Sequence, residues 1–465
     1  MKERLRNAVC LVLSTITVLG ATSCGGAGKV NLDDLYIPTY EDKGQTVRLS
    51  ASLPANPTDR AALEQYKAVG FNELPYAEDF VKAEDVLTMG ENAPYLKGLK
   101  LCEELGLDAY LQPHNVHASE TPTSEPNYFE RYFSDIDFRD YPAVKGFFVT
   151  DEPAYGKLQD LEARYLPWFN ENYGGMDYEF TCCFQGCHAT TWKTGVGKDK
   201  SYEEYVETYL SIVDRVDSSR KVHAIDVYPL HQRDGTPKLN ENILLAHADA
   251  AERAKAHGFD LHLCVQTFGG PNYFSWRIPT TFEEQDFALN NTLAFGPERL
   301  EFFCYRDYTK DKLVGMVTNG KPNERYYWVQ QTIQTFTKWD HIYRNYTWEH
   351  LFTNVGTGSR TDINPAFEAV RGKVKPITGI EKVRSKYDIV MTEFKDGDNN
   401  KAFMLLNYDE PLMQRANKVT LTFSEAQGIL YYRNGEPTTA LLDDGKFVIE
   451  LNAGEAIFAI PLYKK

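Results

Sequence analysis

Short apolar segments alternate with longer helical ones eight times between residues 45 and 345. Each short segment is rich in β-branched and aromatic residues, as in KGFFVTDEP and KVHAIDVYP, and predicts a strand. Several helical segments end in a glycine that can adopt the left-handed closing conformation, namely Gly70, Gly106, Gly258 and Gly296. Strands that alternate with helices pair in parallel, and eight such units predict an α/β fold with a closed (β/α)8 TIM barrel.

The pattern changes after about residue 380, where short strands follow one another without helices between them. Segments such as KAFMLLNYDE, NKVTLTFSEA and EAIFAIPLY are separated by turn sequences such as DGDNN and DDGK. This predicts an antiparallel β-sandwich domain at residues 381–465. Residues 346–380 are predicted to be a connector.

The amino terminus predicts export. A basic start, MKERLR, precedes an apolar stretch at residues 8–19 that is too short to span a membrane comfortably. The run ATSC then resembles a bacterial lipobox, in which Cys24 is lipidated and becomes the first residue. We therefore expect a signal peptide at 1–23, a tether at 24–44 and a bacterial lipoprotein facing the cell surface or periplasm, whose membrane contact is the lipid anchor. An ordinary signal peptide or a retained anchor are the alternatives.

Charge and aromatic content narrow the class of ligand. The chain carries a formal net charge of -16, which argues against nucleic acid as a partner because phosphate binding needs a basic surface. Aromatic residues make up 13%, with 29 Tyr, and such rings suit a site that stacks on sugar rings. No glycine-rich dinucleotide fingerprint follows the first strand, and we expect no cofactor.

Polar side chains follow nearly every predicted barrel strand. The carboxyl ends of barrel strands form one rim, which carries the chemistry. The predicted rim residues are Glu73, Gln112, His114, Asn115, Asp151, Glu152, Gln185, His188, Asp226, Tyr228, Gln266, Tyr305, Arg306 and Asp307. Nearby aromatic residues are Tyr155, Trp192, Phe268, Tyr273, Phe274 and Trp276. Convergent polar groups with aromatic walls favour a polyhydroxylated ligand, so we predict a carbohydrate substrate.

The sequence Asp151-Glu152-Pro153 at the end of the fourth strand resembles the acid/base position of the large retaining clan of (β/α)8 glycosidases. A β-sandwich after the barrel is also similar to that clan, and DVYP, VQTFG and RIPTTFEE look like a bacterial group of glycosidase-like barrel proteins. The resemblance implies that Glu152 protonates the leaving glycosidic oxygen. We expect burial against Phe148 to keep Glu152 protonated, and Asp151 to stay ionised and orient substrate.

The resemblance fails at the seventh predicted barrel strand, where the clan has a nucleophilic Glu and this chain has Gln266. An amide cannot form a glycosyl-enzyme intermediate. Three explanations remain open: Asp226 or Asp307 supplies the second carboxylate, the enzyme inverts with a more distant base, or the site binds glycan without cleaving it.

The sequence therefore predicts a glycoside hydrolase at the bacterial surface, with a non-catalytic glycan-binding lipoprotein as the alternative. The predicted catalytic residues are Glu152, Asp226 and Asp307. The predicted substrate-binding residues are Gln112, His114, Asp151, Trp192, Tyr228, Gln266, Trp276, Tyr305 and Arg306.

Structural roles compete with these functional ones. Asp151 and Glu152 could cap the next helix, and Arg306 and Asp307 could pair as ions. We expect no metal, because no HxH pair follows the first strand and CCFQGCH lacks a second paired-ligand motif. The disulfide state of Cys182, Cys183 and Cys187 stays open.

Overall fold

The computed structural model describes residues 30–42, 47–76, 85, 88–112, 136–270, 276–308, 312–358 and 364–465. Eight parallel strands form one sheet in the order β1-β10-β9-β6-β5-β4-β3-β2, with a hairpin, β7–β8, inserted after β6. These strands are β1 (Arg48–Ala51), β2 (Glu73–Tyr76), β3 (Asp108–Leu111), β4 (Val144–Asp151), β5 (Glu179–Gln185), β6 (Val222–Asp226), β7 (Leu230–Arg233), β8 (Thr236–Leu239), β9 (Asp260–Gln266) and β10 (Arg299–Phe303).

Asn72 joins β1 to β2 and so brings the two ends of the sheet together. Its backbone amide donates to Leu49 O at 2.9 Å. Its side chain accepts from Leu49 N at 2.7 Å and donates to Val47 O at 3.0 Å. The predicted barrel is confirmed.

Within the described residues, ten α-helices pack around the barrel or join it to the second domain. They are α1 (Arg60–Val69), α2 (Pro94–Leu105), α3 (Tyr155–Asp160), α4 (Leu166–Tyr173), α5 (Tyr202–Asp214), α6 (Ile243–His257), α7 (Phe282–Leu293), α8 (Glu324–Thr337), α9 (Asp340–Tyr343) and α10 (Pro365–Ala369). Gly70 and Gly106 close α1 and α2 with φ of 117° and 65°, which residues with a Cβ rarely adopt. In the part of the chain that the structure describes, no helix is both long and apolar enough to cross a membrane.

The second domain is the predicted antiparallel β-sandwich. A six-stranded sheet, β13-β15-β16-β21-β18-β19, faces a three-stranded sheet, β14-β17-β20. Side chains such as Met391, Phe403, Leu421 and Ile449 fill the space between them. The strands are β13 (Tyr346–Asn354), β14 (Ile380–Arg384), β15 (Ile389–Asp396), β16 (Lys401–Asn407), β17 (Asn417–Phe423), β18 (Gly428–Arg433), β19 (Glu436–Leu441), β20 (Lys446–Leu451) and β21 (Ala456–Leu462), after a small pair, β11 (Val317–Thr318) and β12 (Lys321–Pro322).

β13 lies inside the predicted connector. It pairs with β15 along its whole length, from Tyr346 opposite Asp396 to Asn354 opposite Ile389. Part of residues 346–380 is therefore an edge strand of the sandwich. The prediction treated that stretch as a connector because it relied on the runs of strands after residue 380.

Buried ion pairs form the floor of the barrel at the amino ends of the strands. Arg299 Nε lies 2.6 Å from a Glu73 oxygen, and its Nη1 lies 3.4 Å from Glu179. Arg48 also binds Glu179, and the Arg299 guanidinium lies 4.1 Å from the centre of the Tyr110 ring. Glu73 therefore lies at the floor, because it begins β2 rather than ending it, and its predicted place at the rim is wrong.

Candidate active site

A β-bulge in β4 turns Asp151 into the barrel. The ladder to β5 shifts between Phe148 and Thr150, so that Asp151 is paired with Cys183, whose side chain is part of an interior cluster. A one-residue shift moves every later side chain of a strand to its other face. Without the bulge, Asp151 would point outward with Phe147, which packs against the aromatic residues of α4.

Glu152 follows in a strained conformation. Its φ is 41°, a left-handed value that is uncommon for a residue with a side chain and that clusters at functional sites. Its backbone amide donates to Cys183 O at 2.9 Å, and its carboxylate accepts from Gln185 Nε2 at 2.9 Å. The Glu152 residue is exposed, so the expected burial against Phe148 is wrong.

Asp226, at the end of β6, is the desolvated acid of the rim. Burial raises the pKa of Asp226 well above its usual range, and the negative charges of Glu152 and Asp151 raise it further. A hydrogen bond that protonated Asp226 donates to the Glu152 carboxylate raises the pKa of Asp226 as well. The protonated form of Asp226 is therefore favoured by its surroundings.

A second acid, Glu301, lies on β10 inside the barrel. Its carboxylate lies 3.2 Å from His262 Nε2 and accepts a hydrogen bond from the Ser52 hydroxyl. Burial alone would raise the pKa of Glu301, but His262, Arg299 and Ser52 together lower it to about 2. Glu301 is therefore a fixed anion inside the barrel, and the sequence analysis missed it.

Thiols and aromatic rings form the wall beside Asp226. The Cys183 and Cys264 side chains are hydrogen-bonded, and Tyr228 also contacts Cys264. The buried Tyr228 ring packs edge-on against Phe268 at 4.8 Å and Trp276 at 5.3 Å between ring centres. The Trp276 residue is only half-buried, and its predicted substrate-binding role stays a prediction.

Gln266 has a structural role instead of the predicted ligand-binding one. Its Oε1 accepts from Leu230 N at 2.7 Å, and its Nε2 donates to Leu230 O at 3.1 Å and Arg277 O at 2.9 Å. The residue is 0% exposed. A buried amide whose groups all bind backbone holds two loops together, so the prediction that it binds sugar hydroxyls is corrected.

Trp192 and Tyr305 are also packed away from the rim. Trp192 is buried and stacks on Tyr205 at 4.5 Å, and its indole N–H donates to Ala189 O. Tyr305 is buried against Tyr66 of α1, and its hydroxyl lies 3.2 Å from Gln65 Oε1. The predicted contacts of both rings with substrate are therefore corrected to packing against the helical layer.

The other predicted residues near the rim have mixed positions. Arg306 Nε donates to Leu53 O at 3.3 Å. Asp307 Oδ1 accepts from Gly315 N at 2.9 Å and from the Thr318 hydroxyl, which organises the loop after β10. Gln112 is half-buried directly after β3. His188 is exposed in the loop after β5, and Tyr155 begins α3.

Several predictions lie outside the described residues. These are the substrate-binding role of His114, the lipidation of Cys24, and the positions of Asn115, Tyr273 and Phe274. They stay predictions.

Polar residues within apolar strands were a sequence signal for the barrel interior that the prediction did not use. These residues are Glu301, His262, Cys183 and Cys264. They occupy alternate or equivalent positions in apolar strands, and an acid within LEFFC is unusual for a fully apolar core. Within the described ranges, no group of three or more His, Cys, Asp or Glu side chains is arranged to hold a metal ion.

Comparison with known proteins supports the fold. No family model matches the chain, and no curated protein matches it. A glycoside hydrolase of known structure aligns with a TM-score of 0.50 and 11% identity, over 90% of this chain and 92% of that one. A putative alpha-galactosidase/melibiase from Bacteroides fragilis aligns with a TM-score of 0.50 and 13% identity, over 89% and 79% of the two chains.

A GH30 endoxylanase from Clostridium papyrosolvens is more distant by geometry. It aligns with a TM-score of 0.43 and 14% identity, over 90% of this chain and 97% of that one. The chain has a glycoside-hydrolase-like fold. That conclusion rests on the first two alignments, which at these sequence identities are evidence for the fold alone.

Proposed function

We propose that this protein is a glycoside hydrolase that acts at the carboxyl end of its barrel, with Asp226 as the proton donor. The observation that carries the proposal is the convergence of Asp151, Glu152 and Asp226 at the carboxyl ends of β4 and β6, where burial and the two neighbouring carboxylates raise the pKa of Asp226. Acids of this kind are typical of general acid catalysts, whose pKa must lie near the working pH. The choice of Asp226 replaces Glu152, which the sequence favoured, because the Asp226 Oδ1 atom is buried whereas Glu152 is exposed.

We assign the second carboxylate to Asp151. Glu152 is in hydrogen-bonding contact with Asp226, whereas glycosidase pairs stand about 5–5.5 Å or 6.5–9.5 Å apart to hold the sugar carbon or a water between them. Asp151 points into the same space from the end of β4 and acts on Asp226 through its charge. In this scheme Asp226 gives its proton to the glycosidic oxygen, the carbon–oxygen bond breaks, and Asp151 stabilises the sugar cation until water adds to it and returns a proton to Asp226. Glu152 positions the proton on Asp226.

The two adjacent acids test these roles. We expect Asp151→Asn to abolish most turnover of both an unactivated glycan and a dinitrophenyl glycoside, because both need the second carboxylate. We expect Glu152→Gln to retain activity but to move the basic limb of the kcat/KM profile to lower pH. Removing the Glu152 charge and hydrogen bond lowers the pKa of Asp226, so Asp226 loses its proton sooner as pH rises.

Steady-state kinetics from pH 4 to pH 9 measure both effects. An unchanged basic limb in Glu152→Gln, or an active Asp151→Asn, contradicts the assignment. Loss of all activity in Glu152→Gln with an unshifted profile would return the catalytic role to Glu152.

A non-catalytic glycan-binding protein is the second candidate. The specific observation in its favour is Gln266. It ends β9, the seventh strand of the barrel, where the glycosidase clan has its nucleophilic acid, and its side chain is fully engaged by backbone contacts. The discriminating measurement is turnover by the wild-type protein on a panel of glycans, alongside calorimetric binding. A glycan that binds but is never cleaved, with equal binding by Asp226→Asn, favours this candidate.

We also propose that the mature protein is a bacterial lipoprotein held at the membrane by lipidated Cys24. The support is the apolar stretch followed by ATSC in the sequence. Cys24→Ala removes the thiol that accepts the lipid, so the protein should move from the membrane fraction to the soluble fraction when bacterial cells are fractionated. A matched Cys10→Ala change, within the predicted signal peptide, should leave the distribution unchanged. Membrane retention of Cys24→Ala contradicts lipid anchoring.

A further inference from the structure

A cleft of about 620 Å³ lies between the barrel and the sandwich, away from Asp226. The β7–β8 hairpin and the residues up to Asn242 form its barrel side. Loops at one end of the sandwich sheet, which carry Tyr387, Tyr408 and Arg415, form the other. Its volume is within the range of about 300–1,000 Å³ that small-ligand sites have.

The sandwich side of the cleft is held in place before any ligand binds. The Arg415 guanidinium lies 4.8 Å from the centre of the Tyr387 ring, and Arg415 Nε donates to Asp409 at 2.7 Å. Asn417 fixes the backbone of Tyr387, accepting from its N–H at 3.1 Å and donating to its carbonyl at 3.0 Å. A wall that is already ordered loses little entropy when a ligand binds.

Two polar groups that line the cleft lack partners. Nε2 of His231 and the hydroxyl of Tyr408 are buried, with no hydrogen-bond partner among the described residues. Buried polar groups are nearly always paired, by protein, water or ligand. A hydroxylated ligand in the cleft can pair with these atoms once the side chains that cover them shift.

The charges favour a neutral ligand. Asp409 pairs with the Arg415 cation, and Glu410 binds Arg277 with both oxygens at 2.9 Å. The other charged residues of the lining are two cations, Arg233 and Lys238, and two carboxylates, Glu241 and Asp388, so the lining offers an acidic sugar no excess of positive charge. The charged residues that line the cleft are Arg233, Lys238, Arg415, Glu241, Asp388, Asp409 and Glu410.

Aromatic contacts connect the cleft to the candidate active site. The Trp276 ring packs edge-on against Tyr228, two residues after Asp226, at 5.3 Å. It also packs edge-on against His231, which lines the cleft, at 3.9 Å. A chain of sugars that leaves Asp226 along Trp276 would therefore reach the cleft.

We propose that this cleft is a second subsite, which binds neutral sugar units of a glycan whose cleaved bond lies at Asp226. The proposal rests on the proposed function and names its substrate class: a neutral oligosaccharide or polysaccharide of several units. Short glycosides would occupy the barrel site alone.

Calorimetry on the Asp226→Asn protein, which should bind without cleaving, tests the subsite. The probes are the disaccharides and hexasaccharides of xylose, glucose, mannose and galactose, with hexagalacturonate as the acidic counterpart. We expect one neutral hexasaccharide to bind at least tenfold more tightly than its disaccharide. Adding Tyr387→Ala should remove about tenfold of the hexasaccharide affinity, the size of a truncated anchor residue, and leave the disaccharide unaffected.

Matched variants separate binding from folding. Tyr387→Phe keeps the ring and should bind as before, and Tyr327→Ala removes a 57% exposed tyrosine on α8 and should change nothing. Arg415→Met is the second cleft variant. The Arg415 side chain is 40% exposed, so its loss disturbs the fold less than the loss of a buried side chain would, and it should also weaken binding of the hexasaccharide alone.

Three results overturn the proposal: no neutral hexasaccharide exceeds its disaccharide, hexagalacturonate binds best, or the cleft variants match Tyr327→Ala. Its failure is distinguishable from that of the proposed function. If the hexasaccharide binds more tightly than the disaccharide through Tyr387 but the wild type cleaves neither, only the hydrolase proposal is contradicted. If the wild type cleaves a glycan but affinity does not increase with glycan length, only the subsite proposal is contradicted.

Discussion

Asp226→Asn is expected to lower turnover of an unactivated glycan by about 10²–10⁴-fold, the usual contribution of a positioned general acid. Asparagine has nearly the same shape, but its amide cannot give a carboxylic proton to the leaving oxygen. A dinitrophenyl glycoside departs without that proton, so its cleavage should fall far less. Comparing kcat/KM on the two substrates measures the effect.

The variant should stay folded. In the wild type, the folded protein keeps a proton on Asp226 that the unfolded chain releases, so stability falls as pH rises from the ordinary carboxyl range through the raised pKa. Asparagine has no such loss, and the Tm of the variant at pH 8 should equal or exceed that of the wild type. Asp307→Asn is the matched arm: its carboxylate holds a loop, so it should retain most catalysis. Equal losses on both substrates in Asp226→Asn would contradict its role as the acid.

Arg299→Met is expected to lower the free energy of unfolding by about 3–5 kcal/mol, the usual result of breaking a buried ion pair. Arg299 contacts both Glu73 and Glu179 at the barrel floor, and these carboxylates are 1% and 0% exposed. Without Arg299, Arg48 is the cation left beside these two buried carboxyl groups. Urea unfolding followed by circular dichroism measures the loss.

The loss should depend on pH. Although burial raises the pKa of Glu179, Arg48 and Arg299 lower it overall, so its stabilising contribution is present above the ordinary carboxyl pKa and fades in acid. The deficit of Arg299→Met should therefore shrink below pH 4. Arg139→Met is the control, because Arg139 is 61% exposed beside Asp137 and such surface pairs contribute little to stability. A loss in Arg299→Met no larger than in the control would contradict a stabilising floor.

Local chain chemistry made the fold predictable. Gly70 and Gly106 close helices with positive φ, and Ser201 caps α5 by accepting from Glu204 N at 3.1 Å, all through contacts within a few residues. Patterns of this range are visible in a single sequence. The edge strand β13 was not predicted because it lies before residue 380, outside the continuous run of strands on which the sandwich prediction depends.

The candidate site was predictable by strand end but not by side-chain role. The prediction placed Asp151, Glu152 and Asp226 at the ends of their strands, and the structure brings these three together. Neither the bulge that turns Asp151 inward nor the packing of Trp192 on Tyr205 was predictable from the sequence. Both depend on the register between separate strands and helices.

The sequence by itself determined the order of strands and helices, the change to a sandwich, and which acids end the barrel strands. Those features depend on short-range patterns of apolar side chains, glycines and capping residues. Only the tertiary structure decided that Asp226 is the desolvated acid, that Gln266 is sealed, and that Arg299 holds the floor. Desolvation and ion pairing depend on distance in space, and the groups that set them lie tens to hundreds of residues apart in the chain.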